Sequence, residues 1–223
     1  MIVIMAASSI RGTMPLYVQQ LSRAGIEVFL VNPDEMSGAQ STIGRKITWV
    51  REQVGMHGGH NGIIFSDAFD VTFWGTREDL IRRIPCGKVL QAAEKNCHPP
   101  ECKSLNIPDV GPWRYANGGL CIGSPDAFLR WADQCEKHPA YDPELIDQRF
   151  MNMCLADRYD CAWDIDHRAE TFFCLYGGHD ELAFDSGRPV NLKHGTRPLF
   201  VHANGQWNAR PVFDLYRNSL ERP

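Results

Sequence analysis

The stretch Gly62-Ile63-Ile64-Phe65-Ser66-Asp67-Ala68-Phe69-Asp70 decides how this sequence is read. Ile63, Ile64 and Phe65 form an apolar run too short for a helix and apolar on both faces, the pattern of a strand buried inside a sheet. Two carboxylates follow it at once. Open α/β sheets bind their ligands beyond the carboxyl ends of the strands, so Asp67 and Asp70 stand where a ligand is expected. Three residues apart on a straight strand, their side chains would point to opposite faces. They converge only if the chain turns after Phe65. Converging carboxylates suit a hard divalent cation, Mn or Mg, that also holds a diphosphate. On these residues alone, a turn-capping Asp67 and a solvated Asp70 is an equal alternative.

Working outward, Ile2-Val3-Ile4-Met5-Ala6 reads as a buried first strand, followed by a polar turn with Ser8, Ser9 and Thr13. Pro15 opens a helix carrying Leu16, Val18 and Leu21 and stopped by Gly25. Residues 27–31 form a second strand. A Gly/Ser loop over 37–42 leads to a helix with Ile47, Val50 and Val54 at helical spacing. Beyond Asp70, Thr76 and Asp79 form a capping box for a helix running to Ile84, and 88–93 is another strand. Strands alternating with helices predict an α/β fold with a mainly parallel central sheet flanked by helices. The second half is less regular. Ser124-Pro125 caps a helix bearing Phe128, Leu129 and Trp131, and another helix after Pro143 carries Leu145, Ile146, Phe150 and Met153. Short strands are expected near Ala162-Trp163, Phe172-Phe173 and 199–201. No repeat or linker interrupts the chain, so one domain over 1–223 is expected.

Composition narrows the function classes. The 223 residues are 43% hydrophobic and 22% charged, with a net charge of -4, which excludes a disordered, collagenous or coiled-coil chain. No apolar run approaches the roughly 20 residues of a membrane span, and no secretory lead precedes the first strand, so a cytoplasmic location is expected. Eight cysteines are expected as reduced, mostly buried thiols. Cys97-His98-Pro99-Pro100-Glu101-Cys102 offers three zinc ligands, without a second Cys pair to complete a site.

Three further segments carry chemistry. In Phe200-Val201-His202-Ala203-Asn204-Gly205 a strand end delivers a histidine, an acceptable third ligand for Mn, although a lone histidine is also often structural. In Tyr115-Ala116-Asn117-Gly118-Gly119-Leu120-Cys121-Ile122-Gly123 the glycine pair lets backbone approach a sugar or phosphate, and Asn117 can donate to a hydroxyl; a turn into a buried strand is the alternative. Asp147-Gln148 lies on a helix.

In order and spacing these pieces resemble the glycosyltransferase domain of the procollagen lysyl hydroxylase/glucosyltransferases, a metal-dependent family of GT-A type. Ser66-Asp67-Ala68-Phe69-Asp70-Val71 is similar to that family's Ser/Thr-Asp-x-x-aromatic-Asp-Val, with one fewer spacer. Cys97-His98-Pro99 resembles its Cys-Trp-Pro, Asn117-Gly118-Gly119 its Asn-Ser-Gly-Gly, and Asp147-Gln148-Arg149-Phe150 its Asp-Gln-Leu-Phe. Ile165-Asp166-His167 resembles Leu-Asp-His, and His202-Ala203-Asn204-Gly205 resembles the closing His-Gly-Asn-Gly. The resemblance implies a single GT-A-like, Rossmann-type domain, with 1–95 as the nucleotide-sugar half and 96–223 as the acceptor half. It implies Asp67, Asp70 and His202 as a manganese (or magnesium) site. Phe69 then lies near the uracil of a UDP-sugar, and Lys46 near its phosphates. Asn117, Asp147 and Gln148 fall beside the transferred sugar as the catalytic set, and Gly118, Gly119, Asn204 and Gly205 line the donor. A front-face retaining transfer is implied. His98 replaces a sugar-pocket Trp of the family, and the family's hydroxylase half is not expected here.

The expected activity is hexosyl transfer from a UDP-sugar to a hydroxyl on a polymer. A non-catalytic nucleotide-sugar-binding module is the competing class, disfavoured by the acidic pair, His202 and Asn117. A nucleotidyltransferase is disfavoured because no Gly-rich loop follows the first strand. The cytoplasmic expectation favours hydroxymethylated viral DNA (5-hydroxymethylcytosine-type bases) as acceptor over a hydroxylysyl peptide. Arg82, Arg83, Lys88, Lys193, Arg197 and Arg210 are then candidate phosphate contacts, and Trp113 or Trp207 a candidate wedge for an extruded base; scattered surface charges and core aromatics are the alternative.

Overall fold

Ile2, Val3, Ile4 and Met5 are all buried along β1 (Ile2–Ala6). Ile2 and Ile4 join one core while Val3 and Met5 join another, so the strand is central to a sheet covered on both faces. The computed structural model describes residues 1–7, 13–31, 42–205 and 212–214. After β1 come α1 (Met14–Arg23), β2 (Glu27–Val31), α2 (Ile43–His57), β3 (Ile63–Ser66), β4 (Val71–Phe73), α3 (Arg77–Arg83) and β5 (Val89–Glu94). The second half adds β6 (Tyr115–Gly123), α4 (Pro125–Glu136), α5 (Asp147–Asp157), β7 (Trp163–Ile165), β8 (Phe172–Cys174), β9 (Leu182–Asp185), β10 (Arg188–Asn191) and β11 (Phe200–His202).

The main sheet has the order β2-β1-β3-β6-β5-β7. It is parallel between β1 and its two neighbours and between β5 and β7. Strand β6 runs antiparallel to both β3 and β5. This single reversal brings the start of β6 to the edge where β3 and β5 end: Tyr115 faces Glu94 and Ala116 faces Ala93, with an irregular register between Gln91 and Ala93. The Asn117-Gly118-Gly119 stretch therefore lies within a strand, and its backbone is strand edge. A second sheet, β4-β11-β8, lies over the main one, and β9 pairs with β10 as a hairpin.

Helices α2, α4 and α5 cover one face of the main sheet through Ile47, Val50, Phe128, Trp131 and Phe150. α1 and the second sheet cover the other through Tyr17, Leu21, Phe73, Phe172 and Phe200. Helix α1 buries the stripe Met14, Tyr17 and Leu21, while Leu16 and Val18 are only half-buried. The Thr76–Asp79 capping box forms as expected. Helix α5 starts later than Pro143 suggests, because the N–H groups of Ile43 and Gly44 donate to Leu145 and Pro143 and hold that segment against the start of α2. Ser8, Ser9 and residues 37–41 of the expected Gly/Ser loop lie outside the described residues. All eight cysteines are free thiols, and all but Cys86 are buried. No helix of the described residues is long and apolar enough to cross a membrane.

Candidate active site

The chain does turn after Phe65, and the turn is pinned from three sides. Asp67 N–H donates to Gly119 O at 2.7 Å, extending the β3–β6 pairing by one residue. Thr13, at the start of α1, donates its hydroxyl to Phe69 O and Val71 O, both at 3.1 Å. Ala203 N–H donates to Asp70 O at 2.8 Å. Held this way, both carboxylates face His202, the last residue of β11. His202 Nε2 lies 3.2 Å from Asp67 Oδ2 and 3.5 Å from Asp70 Oδ1.

Asp67, Asp70 and His202 each offer a ligand atom within 4.8 Å of the others, and they are the one such group among the described residues. Two carboxylates and an imidazole suit a hard or borderline divalent cation. The surroundings fit one as well. Gly119 lies directly against the group, where a Cβ would collide with Asp67 Oδ2 and His202 Cε1. Burial works against charge on His202, but hydrogen bonds to Asp67 and Asp70 hold its pKa well above the ordinary imidazole value. Burial likewise opposes charge on Asp70, and the bond to His202 more than reverses this, keeping its pKa low. A proton on His202 offsets half of the charge of the acidic pair, part of the work a divalent cation would do.

Next to this group, Glu94 closes β5 and gathers three polar side chains. Gln148 Nε2 donates to Glu94 Oε1, Asn204 Nδ2 donates to Glu94 Oε2 at 2.7 Å, and Asn117 also hydrogen-bonds to it. Burial pushes Glu94 up to about 7 against those bonds. Such a carboxyl group can hold or release a proton near neutrality. Glu94 was not legible as a site residue: it reads as the polar end of an apolar strand, Val89-Leu90-Gln91-Ala92-Ala93, with no motif around it. The turnback of β6 and the arrival of Gln148 and Asn204 from distant segments create its environment.

Asp147 sits at the first position of α5 and Lys46 on the inner face of α2. Lys46 Nζ donates to Asp147 Oδ2 at 2.7 Å and to Gly118 O at 2.8 Å. Burial alone would lower the lysine pKa, but Asp147 raises it. Asp147 Oδ1 accepts from Gln148 N–H at 2.7 Å, and Gln148 Oε1 accepts from Gly118 N–H at 3.3 Å. Asn117 Oδ1 accepts from Gly119 N–H. The expected sugar-side residues Asn117, Asp147 and Gln148 therefore share one network, linked through Gly118 and Gly119 to the Asp67, Asp70 and His202 group. Phe69 is half-buried in the pinned turn. Asn204 and Gly205 follow His202 directly, and Asn204 Oδ1 accepts from Tyr176 N–H.

Other expectations are corrected. Cys97 and Cys102 are buried and hydrogen-bonded to each other, and burial pushes the Cys97 thiol up to about 12. His98 is exposed, and among the described residues no group of three metal-ligating side chains includes Cys97, His98 or Cys102. Arg82, Arg83, Lys88 and Arg197 are each ion-paired within the chain, to Asp79, Glu170, Asp164 and Asp185, with their side chains still partly exposed. Trp113 is fully buried against Phe173, which removes it as a base wedge. Trp207 and Arg210 lie outside the described residues. Asp166 is structural: it accepts from the N–H groups of Glu170, Thr171 and Phe172.

The fold is that of the GT-A type. The fold is similar to that of a glycosyltransferase involved in glycosylation of the major capsid of PBCV-1, with a TM-score of 0.53, 12% identity, and coverage of 97% of this chain and 98% of that one. It is also similar to the galactosyltransferase LgtC in complex with donor and acceptor sugar analogues, with a TM-score of 0.51, 11% identity, and coverage of 98% and 96%. An active-site mutant of LgtC gives a TM-score of 0.55 at 10% identity over the same shares. No curated protein matches the chain significantly. Residues 7–221 match the PLOD GT domain, and the chain belongs to that family.

Proposed function

We propose that this protein is a divalent-metal-dependent hexosyltransferase that moves a glucosyl or galactosyl group from a UDP-sugar to a hydroxyl on a polymer. One observation carries the reading. Asp67, Asp70 and His202 converge at the carboxyl edge of the sheet, directly beside the Glu94, Asn117, Gln148 and Asn204 network. Asp67, Asp70 and His202 would hold Mn or Mg, which when bound supplies positive charge against the leaving diphosphate. Gln148 and Asn117 orient the sugar through its hydroxyls. Asp147, its carboxylate fixed by Lys46, accepts a hydrogen bond from a sugar or acceptor hydroxyl. Glu94 fixes the side-chain amides of Gln148 and Asn204.

Two acceptors follow from this reading, 5-hydroxymethylcytosine-type DNA and a hydroxylysyl peptide. The burial of Trp113 takes support from the DNA reading, and family membership supports the peptide. Incubation with Mn, UDP-glucose and UDP-galactose, with each acceptor in turn, followed by mass spectrometry of nucleosides and peptides, separates them. A hexose mass gain on the peptide alone supports the second reading, and a gain on the base supports the first. Activity that survives EDTA overturns the metal assignment.

A further inference from the structure

Three thiols outside the site meet between α4, α5 and the start of β7. Cys135 lies on α4, Cys154 on α5, and Cys161 two residues before β7. All are at most 2% exposed. Cys154 Sγ and Cys161 Sγ are 3.4 Å apart, and Cys161 is also hydrogen-bonded to Cys135, so Cys161 is the shared partner. Cys161 Sγ–H donates to Cys154 Sγ, and the hydrogen bonds the three thiols share lower the Cys161 pKa and, with burial, raise those of Cys135 and Cys154. His138, two residues past the end of α4, also lowers the Cys161 pKa. A thiol within hydrogen-bond reach of two others is the arrangement that disulfide formation and exchange require. The segment carrying Cys161 is bounded by Arg158 (φ 54) and Ala162 (φ 56), left-handed conformations that non-glycine residues rarely adopt.

We propose that Cys161 is a redox-reactive cysteine that forms a reversible disulfide with either Cys154 or Cys135, one at a time. With hydrogen peroxide as oxidant, the Cys161 sulfur attacks one peroxide oxygen: an S–O bond forms, the O–O bond breaks and hydroxide leaves, giving a sulfenic acid. The neighbouring thiol then attacks that sulfur: an S–S bond forms, the S–O bond breaks, and water leaves with the thiol proton. Two thiols and one peroxide give one disulfide and two waters. The third thiol can then attack the disulfide and move it, with no net change in oxidation state. The Cys135–Cys161 form links α4 to the turn ahead of β7, and the Cys154–Cys161 form closes that turn onto α5, the helix whose first residues are Asp147 and Gln148.

The test is peroxide treatment of the full chain, acid quench and disulfide mapping by mass spectrometry, with exposed Cys86 as internal control. Wild type is expected to lose two hydrogens per chain, with Cys161 joined to Cys154 or Cys135 and the change reversed by dithiothreitol. Cys154→Ser is expected to give only the 135–161 bond, Cys135→Ser only the 154–161 bond, and Cys161→Ser no bond within the cluster. A 135–154 disulfide in Cys161→Ser overturns the proposal. So does an oxidised wild type in which these three remain thiols while Cys86 reacts, an outcome that needs no variant to fold.

Discussion

Lys46 Nζ lies 2.7 Å from Asp147 Oδ2, 101 positions away in the chain, with about a tenth of either side chain exposed. The pair joins α2 to the first turn of α5 and thereby sets where Asp147 and Gln148 stand. Removing one partner leaves a buried, uncompensated charge, which costs about 3 kcal/mol or more. Lys46→Met is therefore expected to lower the urea unfolding free energy by about that amount. Lys46→Met combined with Asp147→Asn should recover much of the loss. A double variant no more stable than the single one contradicts the coupling.

Mn binding is expected to need all three members of the ligand group. His202→Ala and Asp70→Ala should each weaken Mn(II) binding, followed by electron paramagnetic resonance, by at least the roughly 10–100-fold that loss of an outer partner alone produces. Circular dichroism should stay unchanged, because neither side chain fills the core between the sheets. Metal and proton compete for His202, whose pKa the two carboxylates raise, so affinity should climb with pH through and above the ordinary imidazole range. A pH-independent affinity would contradict imidazole ligation.

Gly119→Ala tests the site geometry. The added methyl meets Asp67 and His202. Mn affinity should fall at least about tenfold, with a loss of about 1–3 kcal/mol in unfolding free energy from crowding the buried His202 ring. Equal Mn affinity in Gly119→Ala and wild type would place the metal elsewhere.

Glu94 gives the protein a pH signature. Its carboxyl is raised from the ordinary 4.5 to about 7 in the folded chain, chiefly by burial. Between those values the native state keeps a proton that the unfolded chain has lost. Stability from this group is therefore full below pH 4.5 and falls as pH rises to 7, by about 3 kcal/mol in all. Glu94→Gln removes the titration, so its melting temperature should fall less than that of wild type between pH 5 and 8. Parallel slopes in the two proteins would contradict the assignment.

The first half of the fold was legible because its strands are short apolar runs and its helices carry punctuation, Pro15, Gly25 and the Thr76–Asp79 box, that acts locally. The reversal of β6 was not legible. Its Asn117-Gly118-Gly119 core reads as a loop, and only pairing with β3 and β5 on both sides makes it a strand. Asp67, Asp70 and His202 were legible as chemistry, since carboxylates at a strand end and a histidine before Asn-Gly are local patterns. Their convergence was not, because it depends on Thr13 and Ala203 pinning the turn. Lys46 was expected at the donor phosphates, and its bond to Asp147 comes from the packing of α2 beside α5.

UDP release from UDP-glucose and UDP-galactose, measured with Mn for wild type and Asp70→Ala in parallel, tests the central claim most directly. The expected result is UDP formation by wild type that stops on addition of EDTA and is absent in a folded Asp70→Ala variant. UDP formation unchanged by both EDTA and Asp70→Ala, or no UDP from either donor with any hydroxyl acceptor offered, would contradict a metal-dependent hexosyltransferase.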